Sequence, residues 1–140
     1  MSSEVLVFFY GGLINPKMLA RVGMNPAQRE NATLAGFELT IRPFVNLRAC
    51  ETGTVFGQLM RVRHEDLERV YAQLKAKYLP YPVLPLSADG RHVPALCYIA
   101  GEMPDAMAER DHVVMLLEAA QQLAFPHWYL ERIRGFLPPS

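Results

Sequence analysis

The first apolar run of the chain covers residues 5–10, which are six consecutive hydrophobic residues rich in β-branched and aromatic types. A short run that ends at glycine is typical of a strand buried on both faces. Gly11 and Gly12 permit a sharp turn and leave backbone N–H groups uncovered by side chains. Asn15 suits the N-cap of a helix and Pro16 suits its first position. The pattern therefore predicts a central strand, a bare loop and a helix start, which together favour a negatively charged ligand.

Alternation and helical spacing of apolar residues predict the elements that follow. Strands are expected at residues 32–42 and 54–62, with Gly36 as a bulge in the first and a turn at 51–53 before the second. Residues 24–31 are expected to form a loop. Helices are expected where apolar residues recur every three or four positions, at residues 16–22, at 64–77, from Pro104 to a break at Phe125-Pro126, and at 127–136.

The segment after the middle helix is rich in proline. Pro80, Pro82 and Pro85 exclude a helix and confine any strand there to the edge of a sheet. Asp89-Gly90 predicts a hairpin turn between residues 83–86 and 93–100.

The order of these elements does not alternate strand and helix as a doubly wound sheet would. It predicts an α+β fold with a mostly antiparallel or mixed, barrel-like β core and helices packed outside. No repeat, low-complexity segment or linker interrupts the chain, so residues 1–140 are expected to form a single domain.

Composition narrows the classes of function. The 14 Lys and Arg residues balance the 14 Asp and Glu residues, so we expect neither nucleic acid nor a membrane surface as a partner. The sequence contains no run of 18 apolar residues, so we expect no membrane-spanning helix. The first residues lack the basic segment of a signal peptide. With only two cysteines, the chain is expected to be cytoplasmic. Its oligomeric state is left open.

The residues that carry metal or thiol chemistry are scattered. The four histidines have no metal-ligand spacing and Cys-x-x-Cys is absent, so no metal or cofactor is expected. Cys50 and Cys97 lack a base paired with them in the sequence, and both are predicted to be inert thiols.

Six segments, taken in order, carry a resemblance to a known family. They are FFYGGLINP at 8–16, ATLAGF at 32–37, GTVFGQL at 53–59, EDL at 65–67, PALCYI at 94–99 and the helical section 116–130. Together they resemble the gamma-glutamylcyclotransferase-like family, which includes the plant AIG2-like proteins, over nearly the whole chain.

The resemblance implies a function and a place for it. In that family the loop after the first strand binds a γ-glutamyl group through backbone N–H groups. A glutamate late in the middle helix, or just after it, removes a proton from the α-amine, which then attacks the γ-carbonyl to give 5-oxoproline and a free amine. Positioning supplies much of the rate of such an intramolecular attack, and N–H groups can hold a carboxylate or an oxyanion. The substrate-binding residues implied here are Tyr10, Gly11, Gly12, Leu13 and Ile14.

Three further polar side chains are candidates for lining the pocket. Tyr78 and Tyr98 offer hydroxyls in apolar surroundings, with half-buried packing as the alternative role. Asn46 can donate to a ligand or satisfy a backbone carbonyl, and the sequence favours neither. Tyr71 continues an apolar helical stripe and is interpreted as packing.

The sequence departs from the family pattern at the expected base. The pattern Leu-Asp-x-x-Glu-Gly, followed by Tyr-x-Arg, places Leu74 or Gln73 at the glutamate and Pro80 at the arginine. Gly12 also replaces the usual serine or threonine. The remaining carboxylates considered are Glu51 in a predicted turn, Glu68 on a solvated helix face and Glu102, which the sequence does not place.

No catalytic residue is therefore assigned, and whether the chain is an enzyme stays open. One hypothesis is a protein that binds a γ-glutamyl or similar carboxylate-bearing amide and releases an amine by intramolecular acyl transfer. The alternative is a catalytically inactive small-molecule-binding or regulatory module on the same fold. A hydrolase or transferase with a relocated carboxylate is a third, less favoured hypothesis.

Overall fold

Six strands and four α-helices make up residues 3–139, the part of the chain that the computed structural model describes. In chain order they are β1 (Glu4–Phe9), α1 (Pro16–Val22), β2 (Arg29–Ile41), β3 (Val45–Arg63), α2 (His64–Ala72), β4 (Tyr78–Val83), β5 (Leu86–Ser87), β6 (Ala95–Ala100), α3 (Arg110–Gln122) and α4 (His127–Arg134). A single 3₁₀ turn, Gly12–Ile14, connects β1 to α1.

The strands form one mixed sheet in the order β4-β6-β1-β3-β2-β5. β1 is antiparallel to β3 and parallel to β6, and the other neighbours are antiparallel. The interior position of β1 explains its apolar run, since Val7 and Phe8, which point to opposite faces, are both almost fully buried. The predicted α+β class with a mixed β core is confirmed. Among the described residues β4 and β5 are the two ends of the sheet, which is therefore not closed.

Helices α3 and α4 supply the largest helical part of the core. Leu116 of α3 and Tyr129 and Ile133 of α4 are buried to 1% exposure or less. Asn15 joins α1 to α3, because its side-chain amide donates to the Met115 carbonyl at 2.9 Å. This hydrogen bond anchors the N-terminus of α1 to α3.

The hairpin of β2 and β3 is longer than predicted. Gly36 has a φ of +89° and marks the register shift between Ala35 and Phe37, so the predicted bulge is confirmed. The turn predicted at residues 51–53 is wrong, because these residues belong to β3. They lie opposite the bulge, where β3 has more residues than β2. Gly53 permits this, since a Cβ there would lie 2.3 Å from the Phe37 carbonyl oxygen. The loop predicted at 24–31 is also too long, as β2 already begins at Arg29.

Helix boundaries agree where a local stop signal exists. α1 has the predicted limits, and Gly23 caps it in the left-handed conformation with a φ of +73°. α2 ends at Ala72 instead of residue 77, and α4 ends at Arg134 instead of residue 136. α3 begins at Arg110, so the start predicted at Pro104 is wrong.

The proline-rich segment forms an edge strand, as predicted. Within residues 3–139 β4 pairs with β6 alone, from Tyr78 opposite Ala100 to Val83 opposite Ala95. The hairpin prediction is confirmed in part, because Gly90 does occupy a tight turn with a φ of +88°. That turn follows β5, which comes between β4 and β6 in the sequence. In the sheet, however, β5 pairs with β2 at the opposite edge from β4.

Candidate small-molecule site

The loop after β1 has the bare geometry that its sequence predicts. Gly11 is extended, and the Ile14 N–H donates to its carbonyl at 3.1 Å. The Asn15 N–H donates to the Gly12 carbonyl at 2.9 Å. The N–H groups of Gly12 and Leu13 precede these bonds and take no part in them. They are therefore the candidate donors of the turn, and binding of a ligand by them stays a prediction.

The start of α1 holds the loop from one side. Asn15 is fully buried, and its side-chain oxygen accepts from the Lys17 N–H at 2.9 Å, as expected of an N-cap. Ile14 is also fully buried in the core. Its side chain is therefore closed off from solvent, and a ligand contact by Ile14 stays a prediction.

A polar pair made of exposed Arg29 and buried Gln58 contacts the loop from the other side. Arg29 donates at 2.9 Å both to the Ile14 carbonyl and to the side-chain oxygen of Gln58, which is 4% exposed. Gln58 in turn donates to the Asn31 side chain at 3.1 Å. The carbonyl side of the loop is thus fixed by charge-assisted hydrogen bonds, which are stronger than neutral ones.

The two glycines of the loop face different surroundings. A Cβ on Gly11 would lie 3.3 Å from Cγ1 of Val45, so the start of β3 packs tightly on the loop. A Cβ on Gly12 would meet only the Met18 side chain, at an ordinary contact of 3.9 Å. Gly12 is therefore the more open of the two.

Four tyrosines meet beside the loop and form what we call the tyrosine cluster: Tyr10, Tyr71, Tyr78 and Tyr98. The Tyr10 hydroxyl donates to the Tyr98 carbonyl at 2.6 Å, and the Tyr78 hydroxyl donates to the Val45 carbonyl. The rings of Tyr71 and Tyr98 stack with centroids 4.2 Å apart, and Tyr78 packs at an angle to Tyr71 at 5.7 Å. The structure thus brings together three tyrosines that the sequence proposed and one, Tyr71, that it assigned to packing.

The hydroxyls of the cluster stay protonated. Burial raises the pKa of Tyr78 to about 12 and that of Tyr71 further. Burial also raises the pKa of Tyr10, with smaller contributions from Cys97 and from the nearby hydroxyls of Tyr71 and Tyr78. The pKa of Tyr98 is raised by burial first and by the charge of Glu68 second. At neutral pH the cluster therefore consists of neutral hydrogen-bond donors.

The side chain of Asn46 is engaged by the backbone of β6. Its amide nitrogen donates to the Ala100 carbonyl at 3.0 Å, and its oxygen accepts from the Ala100 N–H at 3.0 Å. Of the two roles that the sequence left open, the structure contains the contact with the backbone. A ligand contact by Asn46 stays a prediction.

A partly exposed carboxylate, that of Glu118, lies at the start of α1 and pairs with the Lys17 ammonium at 2.8 Å. Among residues 3–139 no Asp or Glu is buried, and the buried polar side chains are those of Asn15, Gln58 and Ser87. Glu51 and Glu102 are exposed. Glu68 is exposed as well and lies 3.0 Å from the His64 imidazole. These positions explain why the sequence offered no convincing general base.

The two positions considered for the missing glutamate lie outside the cluster. Gln73 and Leu74 are exposed and follow the last residue of α2. The α2 side chain that reaches the cluster is that of Tyr71. A signal for it was present, because alignment of Leu67-Glu68 with the Leu-Asp of the family pattern puts Tyr71 at the glutamate.

An open apolar cleft of about 820 Å³ lies elsewhere on the protein. Leu34, Phe37, Leu47, Tyr81 and Ile99 are among the residues that line it. It shares no lining residue with the loop or the tyrosine cluster and is therefore separate from the candidate site.

Other kinds of site find no support in the described residues. Within residues 3–139 no three His, Cys, Asp or Glu side chains are grouped so that they could hold a metal ion. None of the helices in this part of the chain is long and apolar enough to cross a membrane.

Comparison with known proteins was made at the level of sequence and of fold. The family model described as gamma-glutamyl cyclotransferase, AIG2-like, matches residues 7–116. No curated protein matches the chain.

Solved structures with the same fold include a gamma-glutamyl cyclotransferase at 14% identity, with a TM-score of 0.80 over 99% of this chain and 90% of that one. The uncharacterized protein loc79017 from Homo sapiens is similar at 16% identity, with a TM-score of 0.77 over 98% and 89% of the two chains. A gamma-glutamyl cyclotransferase specific to glutathione from yeast is similar at 12% identity, with a TM-score of 0.73 over 97% and 96%. These identities are low, so the structural matches establish the fold, while the family model covers well over half of the sequence. The chain belongs to the gamma-glutamyl cyclotransferase, AIG2-like family.

Proposed function

We propose that this protein binds a γ-glutamyl or closely related carboxylate-bearing amide at the loop of residues 10–14, and that it does so as a binding protein without cyclotransferase turnover. Membership of the family supports a gamma-glutamyl cyclotransferase-like function in general terms. The observation that carries the more specific proposal is the identity of Tyr71 as the α2 side chain in the tyrosine cluster, together with the lack of a buried carboxylate among residues 3–139.

The loop supports the binding half of this proposal. The free N–H groups of Gly12 and Leu13 suit a carboxylate or an amide oxygen, because both are hydrogen-bond acceptors. The loop is also held before any ligand arrives, by Asn15 on one side and by Arg29 on the other. A site that is already ordered binds with a smaller entropic cost.

The tyrosine cluster supports the second half. Cyclisation of a γ-glutamyl amide needs a group that accepts a proton from the α-ammonium near neutral pH. Burial raises the pKa of the Tyr71 hydroxyl, so this group keeps its proton and cannot act as that base. The positioning of a substrate is then retained while proton removal is lost.

A second candidate function rests on Glu68. Burial is the first cause of the raised pKa of Tyr98, and the charge of Glu68 is the second, which supports Glu68 as a candidate base. An active enzyme would use Glu68 as its base, although the carboxylate is exposed and lies beside His64.

Two measurements on the same samples test the proposal. Release of 5-oxoproline from glutathione and from a panel of γ-glutamyl amides measures turnover, and calorimetry measures binding. We expect measurable binding with no turnover above that of buffer. Turnover that disappears in Glu68→Gln would instead establish the enzyme.

The site itself is tested by substitution at Gly12. Gly12→Phe should abolish binding because a bulky side chain would cover the free N–H groups. Gly12→Ala is the matched control, since a Cβ there has room, and it should fold as stably as the parent. Undiminished binding by a folded Gly12→Phe variant would refute the assignment of the site.

A further inference from the structure

Arg29 carries a positive charge whose hydrogen bonds go to neutral oxygens. Its Nε and Nη2 donate to the Gln58 side-chain oxygen at 3.3 and 2.9 Å, and Nη2 also donates to the Ile14 carbonyl at 2.9 Å. Within residues 3–139 no carboxylate pairs with Arg29, and no acceptor is found for its Nη1. The N–H bonds of Nη1 are therefore available to a further acceptor.

A chain of side-chain amides holds this guanidinium in place. Gln58 is 4% exposed, and its amide nitrogen donates to the Asn31 side-chain oxygen at 3.1 Å. The Asn31 amide donates in turn to the Leu123 carbonyl at 3.1 Å, at the end of α3. Because the planar guanidinium is already positioned, it loses little conformational freedom when it binds another group.

A cavity of about 300 Å³ lies beside the guanidinium, between the start of α1 and the last turn of α3. This volume is at the lower end of the range for pockets that bind small molecules. Its polar groups come from Arg29, Gln58 and Gln122, and its other walls are apolar: Ile14, Pro16, Ala119 and Leu123. Arg29 is exposed, so a ligand can enter from solvent. No member of the tyrosine cluster lines the cavity, and neither does Gly12 or Leu13.

The charges around the cavity favour a ligand with a single negative charge. Glu118, one turn before Gln122 on α3, is paired with the Lys17 ammonium at 2.8 Å. Glu30 follows Arg29 in β2 and therefore points to the other face of the sheet. The carbonyl end of α3 adds partial negative charge near Gln122. A monoanion gains the attraction of Arg29, whereas a second negative charge is repelled by the helix end.

We infer that this cavity is a second binding site, which takes a small aliphatic monocarboxylate. The carboxylate accepts hydrogen bonds from Nη1 of Arg29 and from the Gln122 side chain, because a guanidinium matches a carboxylate in charge and in geometry. The alkyl chain packs on Ile14, Pro16 and Leu123, which removes apolar surface from water. The inference goes beyond the proposed function, because this site does not use the N–H groups of the loop.

Three small ligands test the chemistry of the site on the unmodified protein. Titrations with butanoate, butanamide and sulfate are followed by heteronuclear NMR through the side-chain signals of Arg29 and Gln58. We expect butanoate to shift both signals saturably and to bind about ten-fold more tightly than butanamide, which lacks the charge. Sulfate, a dianion without an apolar part, should bind more weakly than butanoate. Absence of saturable shifts with butanoate, equal affinities for butanoate and butanamide, or tighter binding of sulfate would overturn the inference.

A charge substitution on α3 tests the location. Gln122→Glu puts a negative charge in the wall of the cavity and should weaken butanoate binding about ten-fold or more. Gln121→Glu is the matched control, because it adds the same charge at a neighbouring exposed position that does not line the cavity. Its butanoate affinity should stay within about two-fold of the parent value, because solvent screens an exposed charge. An equal loss in the two variants, or no loss in Gln122→Glu, would refute the location.

Two further variants separate this site from the loop. Arg29→Met removes the cation and should abolish the preference for butanoate over butanamide; if it does not fold, the glutamate pair on α3 still decides the question. Gly12→Phe should leave butanoate binding unchanged, since Gly12 does not line the cavity. Loss of butanoate binding in a folded Gly12→Phe variant would assign butanoate to the loop and overturn the second site. Failure of γ-glutamyl amides to bind would refute the proposed function alone.

Discussion

Gly57 packs closely against the end of β1, which leads into the candidate loop. It lies on β3 opposite the end of β1, where a Cβ would be 2.1 Å from the Phe9 carbonyl oxygen and 2.9 Å from the Phe8 ring. Phe9 is the last residue of β1, and Tyr10 and Gly11 follow it. We therefore expect Gly57→Ala to disturb both the sheet and the loop.

The expected loss of stability follows from this geometry. Real Cβ contacts essentially never fall below 3.0 Å, so β1 and β3 must separate locally by at least about 0.9 Å. Overpacking of this kind costs about 1–3 kcal/mol, and strained pairing of Phe9 with Gln58 adds about 1 kcal/mol. The lower entropy of the unfolded alanine chain offsets about 0.5 kcal/mol. The net loss should be about 1.5–3.5 kcal/mol.

Urea unfolding followed by circular dichroism measures this loss. With a slope of about 2 kcal/mol per molar urea, the midpoint should fall by about 0.7–1.8 M. Gly101→Ala is the matched control, because nothing lies within 4 Å of a Cβ at that position. The reasoning would be refuted if the two variants had midpoints within about 0.2 M of each other, equivalent to roughly 0.4 kcal/mol.

Three further outcomes are expected. Asn46→Ala should lower the free energy of unfolding by about 2 kcal/mol in the same urea assay, because it removes both hydrogen bonds to Ala100. A loss below about 0.5 kcal/mol would contradict a stabilising role of these bonds. Cys97 is fully buried and burial raises its thiol pKa to about 12, so at pH 8 a thiol reagent should modify Cys50 readily and Cys97 only on unfolding; rapid reaction of both would refute this. The Tyr78 hydroxyl titrates near 10.0 in the unfolded chain and about 12 in the folded one, so stability present below pH 10 should fall between pH 10 and pH 12. Urea midpoints that stay constant up to pH 11 would contradict this sign.

Elements with a strong local signal were predicted well. The apolar run of β1 and the limits of α1 between Asn15 and Gly23 follow from residues that are adjacent in sequence. The bulge at Gly36 and the edge position of β4 likewise rest on the backbone preferences of glycine and proline. These signals act over a few residues and need no knowledge of the rest of the chain.

Elements whose limits depend on distant contacts were predicted poorly. Pro104 is suited to the first turn of a helix, yet the segment before α3 is irregular. It is held instead by an ion pair of 2.9 Å between Asp105 and Arg42 and by the buried side chain of Ala108. The turn expected at residues 51–53 fails for a similar reason, because Gly53 packs against Phe37 on the neighbouring strand. Tertiary packing overrides local propensity at both places.

The amino-acid sequence alone determined the loop, the family resemblance and the lack of a glutamate at residues 73 and 74, where the family pattern expects one. Tertiary structure decided which side chains face that loop. Helical spacing shows that Tyr71 points inward, but it does not reveal that Tyr98 and Tyr78 are what it meets. Likewise, the amide of Asn46 is directed to Ala100, 54 residues away. A local pattern records the burial of a side chain and not its partner, because the partner comes from a distant part of the chain that only the folded sheet brings near.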